Sequence, residues 1–392
     1  MHKLPILIVY PGDIVGYGNR DRIISVCKAW HKKGHNVSVL MARSMVEDFS
    51  QLLSRESLNV RIISIPWTKA IKKLSHIKII LSYIPRAIFG SMVRLPDDIR
   101  IIYSMTGIIT EVLPSFVFKL RRRSLKWIAL IDNLAYPPWD KRRKQVVFAK
   151  LLAYLGFLIS VRMARSADIV LTVNEVVKKG LIRYGISEDR IIIIQNGIFL
   201  RDISGADALK EMKYDGVFLG RVDYSKGIFS LIDIWKEASD ALGKNLKLAI
   251  VGKADYTVEV KLKEKIKENR LTNNIILHGY LSGVEKYRIL KSSDFFVFPS
   301  IDESWGIVLM EALACGLPVI AYDLDVYKGI YPDGILERVP VGDSSSFASK
   351  IQELVSRIED NSARQKRIDF ARNFDWEDVT EREYEAIKTR LA

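Results

Sequence analysis

At 392 residues, 48% hydrophobic and 27% charged, the chain is long enough for two domains with full cores and has an ordinary globular balance. Its two cysteines, Cys27 and Cys315, exclude a disulfide framework or a cysteine metal cluster and fit a reducing compartment. The formal net charge of +14 is uneven: residues 1–200 hold 32 Lys and Arg against 14 Asp and Glu, a net of +18, while residues 201–392 hold 28 against 32, a net of −4. A positive first half suggests an anionic partner for that half, whether a membrane surface, a phospholipid or a nucleic acid.

Residues 4–10 form a β-rich apolar run. No small-residue cleavage site follows, so a buried strand is expected rather than a signal peptide. A loop with Gly12, Gly16 and Gly18 comes next. A helical pattern then begins near Arg20, with Ile23, Ile24, Cys27 and Trp30 on one face at 3.6-residue spacing. Lys33-Gly34-His35 ends it, and residues 36–41 alternate as the next strand. This is the strand, glycine loop, helix, strand unit of a doubly wound sheet. Gly16 and Gly18 allow either close backbone approach to a ligand or simply a tight turn. The missing third glycine of the dinucleotide pattern argues against a dehydrogenase.

Residues 59–66 read as another strand. In residues 69–84, Ile71, Leu74, Ile77, Leu81 and Ile84 share one helical face, and Lys69, Lys72, Lys73 and Lys78 project elsewhere. The pattern suits a helix lying in a membrane interface or a surface helix packed on its own sheet. A short strand at 100–103, a helix from about Thr110 and a buried strand at 127–131 follow. Asp132 and Asn133 stand at the C-terminal end of that strand, where open α/β sheets place ligands; Asp132 could equally serve as a cap or turn residue. Lys141-Arg-Arg-Lys144 precedes residues 151–161, which carry no charge. A span needs about 20 residues, so this segment is expected not to cross a bilayer. Its apolar part reads as a core helix, and the basic run beside it suggests attachment to one bilayer face. Strands at 167–172 and 190–195 flank a helix at 176–184, and Asn196-Gly197 makes a turn.

Residues 217–219 open a second α/β unit. Gly220-Arg221-Val-Asp-Tyr-Ser-Lys226-Gly227 leads into a helix with Leu231, Ile234 and Trp235. Arg221 and Lys226 either converge as a diphosphate clamp, one bidentate and one a point charge, or are two solvated cations. Strands are expected at 246–252, at 275–278 ahead of Gly279-Tyr280, and at 294–298. From Phe298 the chain runs through a loop carrying Glu303 into a helix opening near Gly306, and on to a strand at 318–322. Glu311 then falls in the second turn of that helix. A helix N-terminus presents unpaired N–H groups and about half a positive charge. A phosphate held by Gly306 and Ile307 would sit between the two carboxylates; the plainer reading is an ordinary acidic helix start. Residues 344–372 read as helices, and Phe374-Asp-Trp-Glu377 opens a terminal helix.

Pro299-Ser300, Glu303, Trp305-Gly306, Glu311-Ala312, Ala314 and Gly316-Leu-Pro-Val-Ile-Ala321 together resemble the donor-site signature of group 1 retaining glycosyltransferases with the GT-B fold. These enzymes use nucleotide-diphosphate sugars. The resemblance covers residues 165–377 well and the first half loosely. It implies two Rossmann-like doubly wound domains facing across a cleft: an acceptor-binding domain at 1–197, with 375–392 packing back on it, and a donor-binding domain at 198–374. By the same resemblance Arg221 and Lys226 bind the donor phosphates, Glu303 orients the sugar hydroxyls and Glu311 takes the ribose. The N–H groups of Gly306 and Ile307 assist, the backbone near Tyr280 meets the base, and Gly16 and Gly18 join the donor set. The family often has a histidine near the position of Leu130-Ile-Asp-Asn133; here Asp132 is the substitute candidate.

The catalytic set implied is Glu303, Lys226, Arg221 and Asp132, with fixed positive charge meeting the charge that develops on the departing phosphate. No Asp-x-Asp motif stands beside the donor residues, since Asp323-Leu-Asp325 lies past the next strand. No metal and no cofactor are therefore expected; the UDP- or GDP-linked sugar is a substrate. The expected activity is hexosyl transfer with retention, to a glycan or lipid-linked, membrane-proximal acceptor, by a cytoplasmic protein peripheral to the cytoplasmic face of an anionic membrane. The rivals are a nucleotide-sugar epimerase of the same fold, a phosphorylase needing pyridoxal phosphate, and a basic nucleic-acid binder. The last lacks a recognisable aromatic-basic module, so no nucleic-acid partner is expected.

Overall fold

The computed structural model describes residues 4–11, 17–66, 68, 76–140, 147–357 and 360–391. The chain divides into two units, the first formed by residues up to Asp140, those from Val147 to Gly197 and those from Trp376 onward, the second by Ile198–Asp375.

The first unit alternates β1 (Ile6–Tyr10), α1 (Tyr17–Lys32), β2 (Val37–Ala42), α2 (Val46–Arg55), β3 (Arg61–Ile65), α3 (His76–Met92), β4 (Ile101–Ser104), α4 (Ile109–Arg121), β5 (Lys126–Leu130), α5 (Val147–Ala164), β6 (Ile169–Thr172), α6 (Glu175–Arg183) and β7 (Ile191–Ile193). The strands form one parallel sheet in the order β3-β2-β1-β4-β5-β6-β7. Ile6 pairs with Val37 on one side and Ile101 on the other. Every residue of β1, β2 and β4 is buried. Strands covered by helices on both faces read as continuous apolar runs rather than alternating ones, and residues 4–10 do so. Gly16 lies outside the described residues. Gly18 falls inside the first turn of α1, not in a loop ahead of it; the turn Tyr17-Gly-Asn-Arg20 precedes the apolar stripe and so carries no periodic signal.

Two helices differ from expectation. The amphipathic pattern at 69–84 is described only from His76, where α3 begins; it continues to Met92 and leaves Leu81 and Ile84 exposed. The expected core helix at 151–161 is longer and less buried: α5 has 18 residues with mean hydropathy 1.7, enough by length and composition to cross a membrane. Only Ala149, Phe157, Ser160, Val161 and Ala164 are buried. Lys150 donates to Asp140 O at 2.8 Å, and Arg162 is exposed, since a long cationic side chain can keep its head in water while its stem lies on apolar surface.

α14 (Trp376–Leu391) completes the first unit by packing on α1. Arg22 of α1 forms a buried ion pair with Glu383, and Tyr103 donates to the same carboxylate at 2.6 Å. The Arg22 guanidinium also donates to Gln195 O (3.0 Å) and Asn196 Oδ1 (2.9 Å). Removing one partner of such a buried pair costs about 3–5 kcal/mol, because the other charge is left uncompensated.

The second unit contains α7 (Leu200–Ser204), β8 (Tyr214–Leu219), α8 (Ile228–Leu242), β9 (Leu248–Val251), α9 (Tyr256–Glu268), β10 (Ile275–Gly279), α10 (Val284–Lys291), β11 (Ser293–Phe298), α11 (Ile307–Ala314), β12 (Val319–Tyr322), β13 (Glu337–Val339), α12 (Ser344–Ser356) and α13 (Asn361–Arg372). Its parallel sheet has the order β10-β9-β8-β11-β12-β13. Both cysteines are buried and free, and burial pushes each thiol up to about 12.

Glu111, in the first turn of α4, is buried with its Oε2 unpartnered. Desolvation raises its carboxyl from 4.5 to about 8, against the hydrogen bonds offered by Thr106. The folded chain therefore holds a proton that the unfolded chain releases near pH 4.5, so this group's contribution is intact below that pH and is lost as pH rises towards 8. Glu111→Gln should gain stability over the parent as pH rises from about 5 to about 8.5, read from urea midpoints. A difference that does not change with pH contradicts this.

Candidate active site

The strand order of the second unit reverses between β8 and β11: the chain runs outward from β8 through β9 to β10, then returns to β11. The C-terminal ends of two such strands leave a crevice between the loops that follow them. The loop after β8 carries Arg221 and Lys226, and the loop after β11 carries Glu303. The loops are tied by backbone, with Ile301 N donating to Ser225 O at 3.0 Å. Gly227 makes this approach possible. It sits at φ +69°, and a Cβ there would lie 1.9 Å from Pro299 O.

Lys226 donates to Glu303 Oε1 at 2.6 Å and to Asp302 O at 2.9 Å. The two side chains are 13% and 11% exposed. Ser300 Oγ donates to the same carboxylate oxygen at 3.0 Å. Asp223 shapes the turn beneath by accepting from Ser225 N (2.9 Å) and Lys226 N (3.1 Å). Arg221 is mostly exposed and pairs with Asp223 at 3.3 Å. Each of the two cations thus has its own carboxylate, and only the lysine is nearly buried, where an ammonium out of water needs a counter-charge.

Gly306 is the N-cap of α11, at φ +80°, and as a glycine brings no capping side chain of its own. Tyr331 Oη donates to Gly306 O at 2.8 Å and holds the loop from behind. Ile307 is the first residue of the helix. Glu311, one turn on, is buried, and its Oε1 accepts from Lys286 Nζ at 2.5 Å and Tyr287 Oη at 2.8 Å. Burial and this carboxylate push the Tyr287 phenol far up, so it stays a donor. Tyr280 follows β10 at the same edge of the sheet and is partly exposed.

Arg221, Lys226 and Glu303 thus lie on the two loops that follow β8 and β11, and Gly306, Ile307 and Glu311 at the start of the helix that follows the second loop. Asp132 and Gly18 belong to the first unit. Asp132 follows β5 and is half-buried; desolvation raises its carboxyl, partly countered by Arg22. Asp223, Ser300, Lys286, Tyr287 and Tyr331 went unrecognised as supports. Ser300 lies inside the resembling motif, but nothing in the spacing of Lys286-Tyr287 announces that α10 packs beside Glu311.

Residues 201–374 match the family described as Glycosyl transferases group 1. The phosphatidyl-myo-inositol mannosyltransferase of Mycobacterium leprae (strain TN) is 32% identical over 209 residues, which cover 50% of this chain and 54% of that protein. The O-antigen chain mannosyltransferase RfbU of Salmonella typhimurium is 28% identical over 204 residues, 51% and 54% of the two chains. The chain spans about half the length of the curated relatives it matches. Among solved structures, Anabaena HepE in complex with UDP and glucose has a TM-score of 0.73 at 16% identity, covering 98% of this chain and 100% of that one. The class is thereby set as α/β with the GT-B fold. The match to the group 1 glycosyl transferases covers residues 201–374, less than half of the chain.

Lys286→Met removes one of the two donors on Glu311 and strands a buried carboxylate. Nucleoside diphosphate affinity should fall roughly tenfold, measured by calorimetry. Unchanged affinity would show that the Lys286 contact does not organise this site.

Proposed function

We propose that the protein is a retaining hexosyltransferase that takes a sugar from a UDP- or GDP-linked donor and delivers it to a glycan or lipid-linked acceptor at a membrane. The observation that carries this reading is the Lys226–Glu303 pair ahead of the glycine-capped start of α11, at the strand-order reversal. A diphosphate at that helix start would meet N–H groups at Gly306 and Ile307 and the charges of Lys226 and Arg221. In this reading Glu303 orients sugar hydroxyls and Glu311 accepts from a ribose.

In the step proposed, an oxygen of the acceptor hydroxyl bonds to the anomeric carbon as the bond to the phosphate oxygen breaks. The bonding pair leaves with the diphosphate. The hydroxyl proton passes to that departing oxygen on the same face, and the configuration is kept. The cations near the diphosphate stabilise the charge that grows there. The first unit, with Asp132 at the end of β5, is the acceptor side of this reading. The lipid-linked acceptor draws support from the name of the mycobacterial relative and from the net charge of +18 in residues 1–200. A peripheral position on the cytoplasmic face follows from the same charge.

Incubation with a panel of nucleotide sugars and a lipid extract should give a product whose anomeric coupling in NMR equals the donor's. Inverted product, or conversion of donor to its epimer with no acceptor consumed, contradicts the reading. Lys226→Ala should lower turnover roughly a hundredfold, and Glu311→Ala should weaken donor binding roughly tenfold. Near-parental kinetics in both would remove the site assignment.

A further inference from the structure

We propose that the outward sides of α3 and α5 form a docking face that lies flat in the headgroup region of an anionic bilayer. This deepens the membrane-proximal acceptor of the preceding reading and names the surface involved. On α3, Ile84, Ile88 and Met92 recur at every fourth position; on α5, Leu151, Leu155 and Ile159 do the same. All six are between 39% and 67% exposed. α3 and α5 pack on each other and both pack on α4, so the two stripes belong to one helical layer. Scattered exposed apolar residues are ordinary, but a stripe at every fourth position on each of two adjoining helices is not scattered.

Charge identifies the occupant. Residues 69–96 contain six Lys and Arg, of which Arg86 is buried, and no Asp or Glu; residues 141–167 contain seven and none. Acids resume only at Asp97 and Asp168. Arg94 and Arg162 are exposed beside the stripes. An apolar stripe flanked by charge of one sign suits an anionic lipid surface, where each nearby cation adds to the attraction.

The helix lies on the membrane rather than crossing it. The opposite side of α5 places Phe157, Val161 and Ala164 in the hydrophobic core of the first unit, together with Trp127 and Phe118. Crossing would strip that core, whereas lying flat buries the exposed stripe and leaves the core intact.

The test is flotation of the full-chain protein with phosphatidylcholine vesicles, with and without about a third phosphatidylglycerol, at low and high salt. The protein should float with the anionic vesicles, and less so at high salt. Ile88→Glu with Leu155→Glu should reduce partitioning roughly tenfold or more. Ile193→Glu, at an exposed strand edge elsewhere in the unit, should leave it unchanged. Circular dichroism confirms that the variants fold. No flotation with anionic vesicles, or equal flotation of the double variant, overturns the proposal. So does a dimer that the double variant abolishes without vesicle binding, which would assign the face to a second copy. Donor hydrolysis in vesicle-free buffer, measured on the same proteins, separates the two readings: the donor site can fail while docking persists, and docking can fail while hydrolysis persists.

Discussion

An ammonium and a carboxylate, both nearly out of water, meet where the second sheet changes its strand order. Each group is the other's counter-charge where little water reaches, and burying an unpaired charge is costly. The loop after β8 and the loop after β11 therefore hold each other in place. The backbone tie from Ile301 to Ser225 and the close passage of Gly227 past Pro299 bring them into register. Glu303 then stands directly ahead of α11, whose N-cap is Gly306. Every chemical role assigned to the crevice follows from that arrangement.

Much of this was legible in the chain, for definite reasons. Strands buried on both faces appear as unbroken apolar runs, so residues 4–10, 127–131 and 294–298 mark β1, β5 and β11 closely. Loops at the carboxyl ends of such strands are where polar and charged residues collect, which singled out Arg221, Lys226 and Glu303. Partnership was not legible. Spacing alone could not tell that Lys226 would be nearly buried and Arg221 solvated, since that depends on which loop covers which. Lys286 and Tyr287 reach Glu311 from α10 by tertiary packing, with no local pattern to report it. The extent of α5 was misjudged because its cations interrupt the uncharged run without interrupting the helix.

The first unit is built to different demands. Its sheet is covered by helices, and its terminal segments are tied by the ionic contact of Arg22 with Glu383. Yet the layer formed by α3, α4 and α5 keeps periodic apolar side chains in solvent and no acid within α3 or α5. A fold that only needed to cover its sheet would place polar residues there. One unit thus holds the Lys226–Glu303 pair between two loops, and the other exposed apolar stripes on helices without acids. That division fits a soluble donor and an acceptor carried by lipid.

The central claim is that the crevice between the two loops of the second unit recognises a pyrophosphate. Calorimetric titration of the full chain with UDP and GDP, against uridine and guanosine, tests it most directly. One diphosphate should bind at least roughly a hundredfold more tightly than its nucleoside, and that advantage should largely vanish in Lys226→Ala. Equal affinity for nucleoside and diphosphate, or an advantage that survives loss of the lysine, would contradict it.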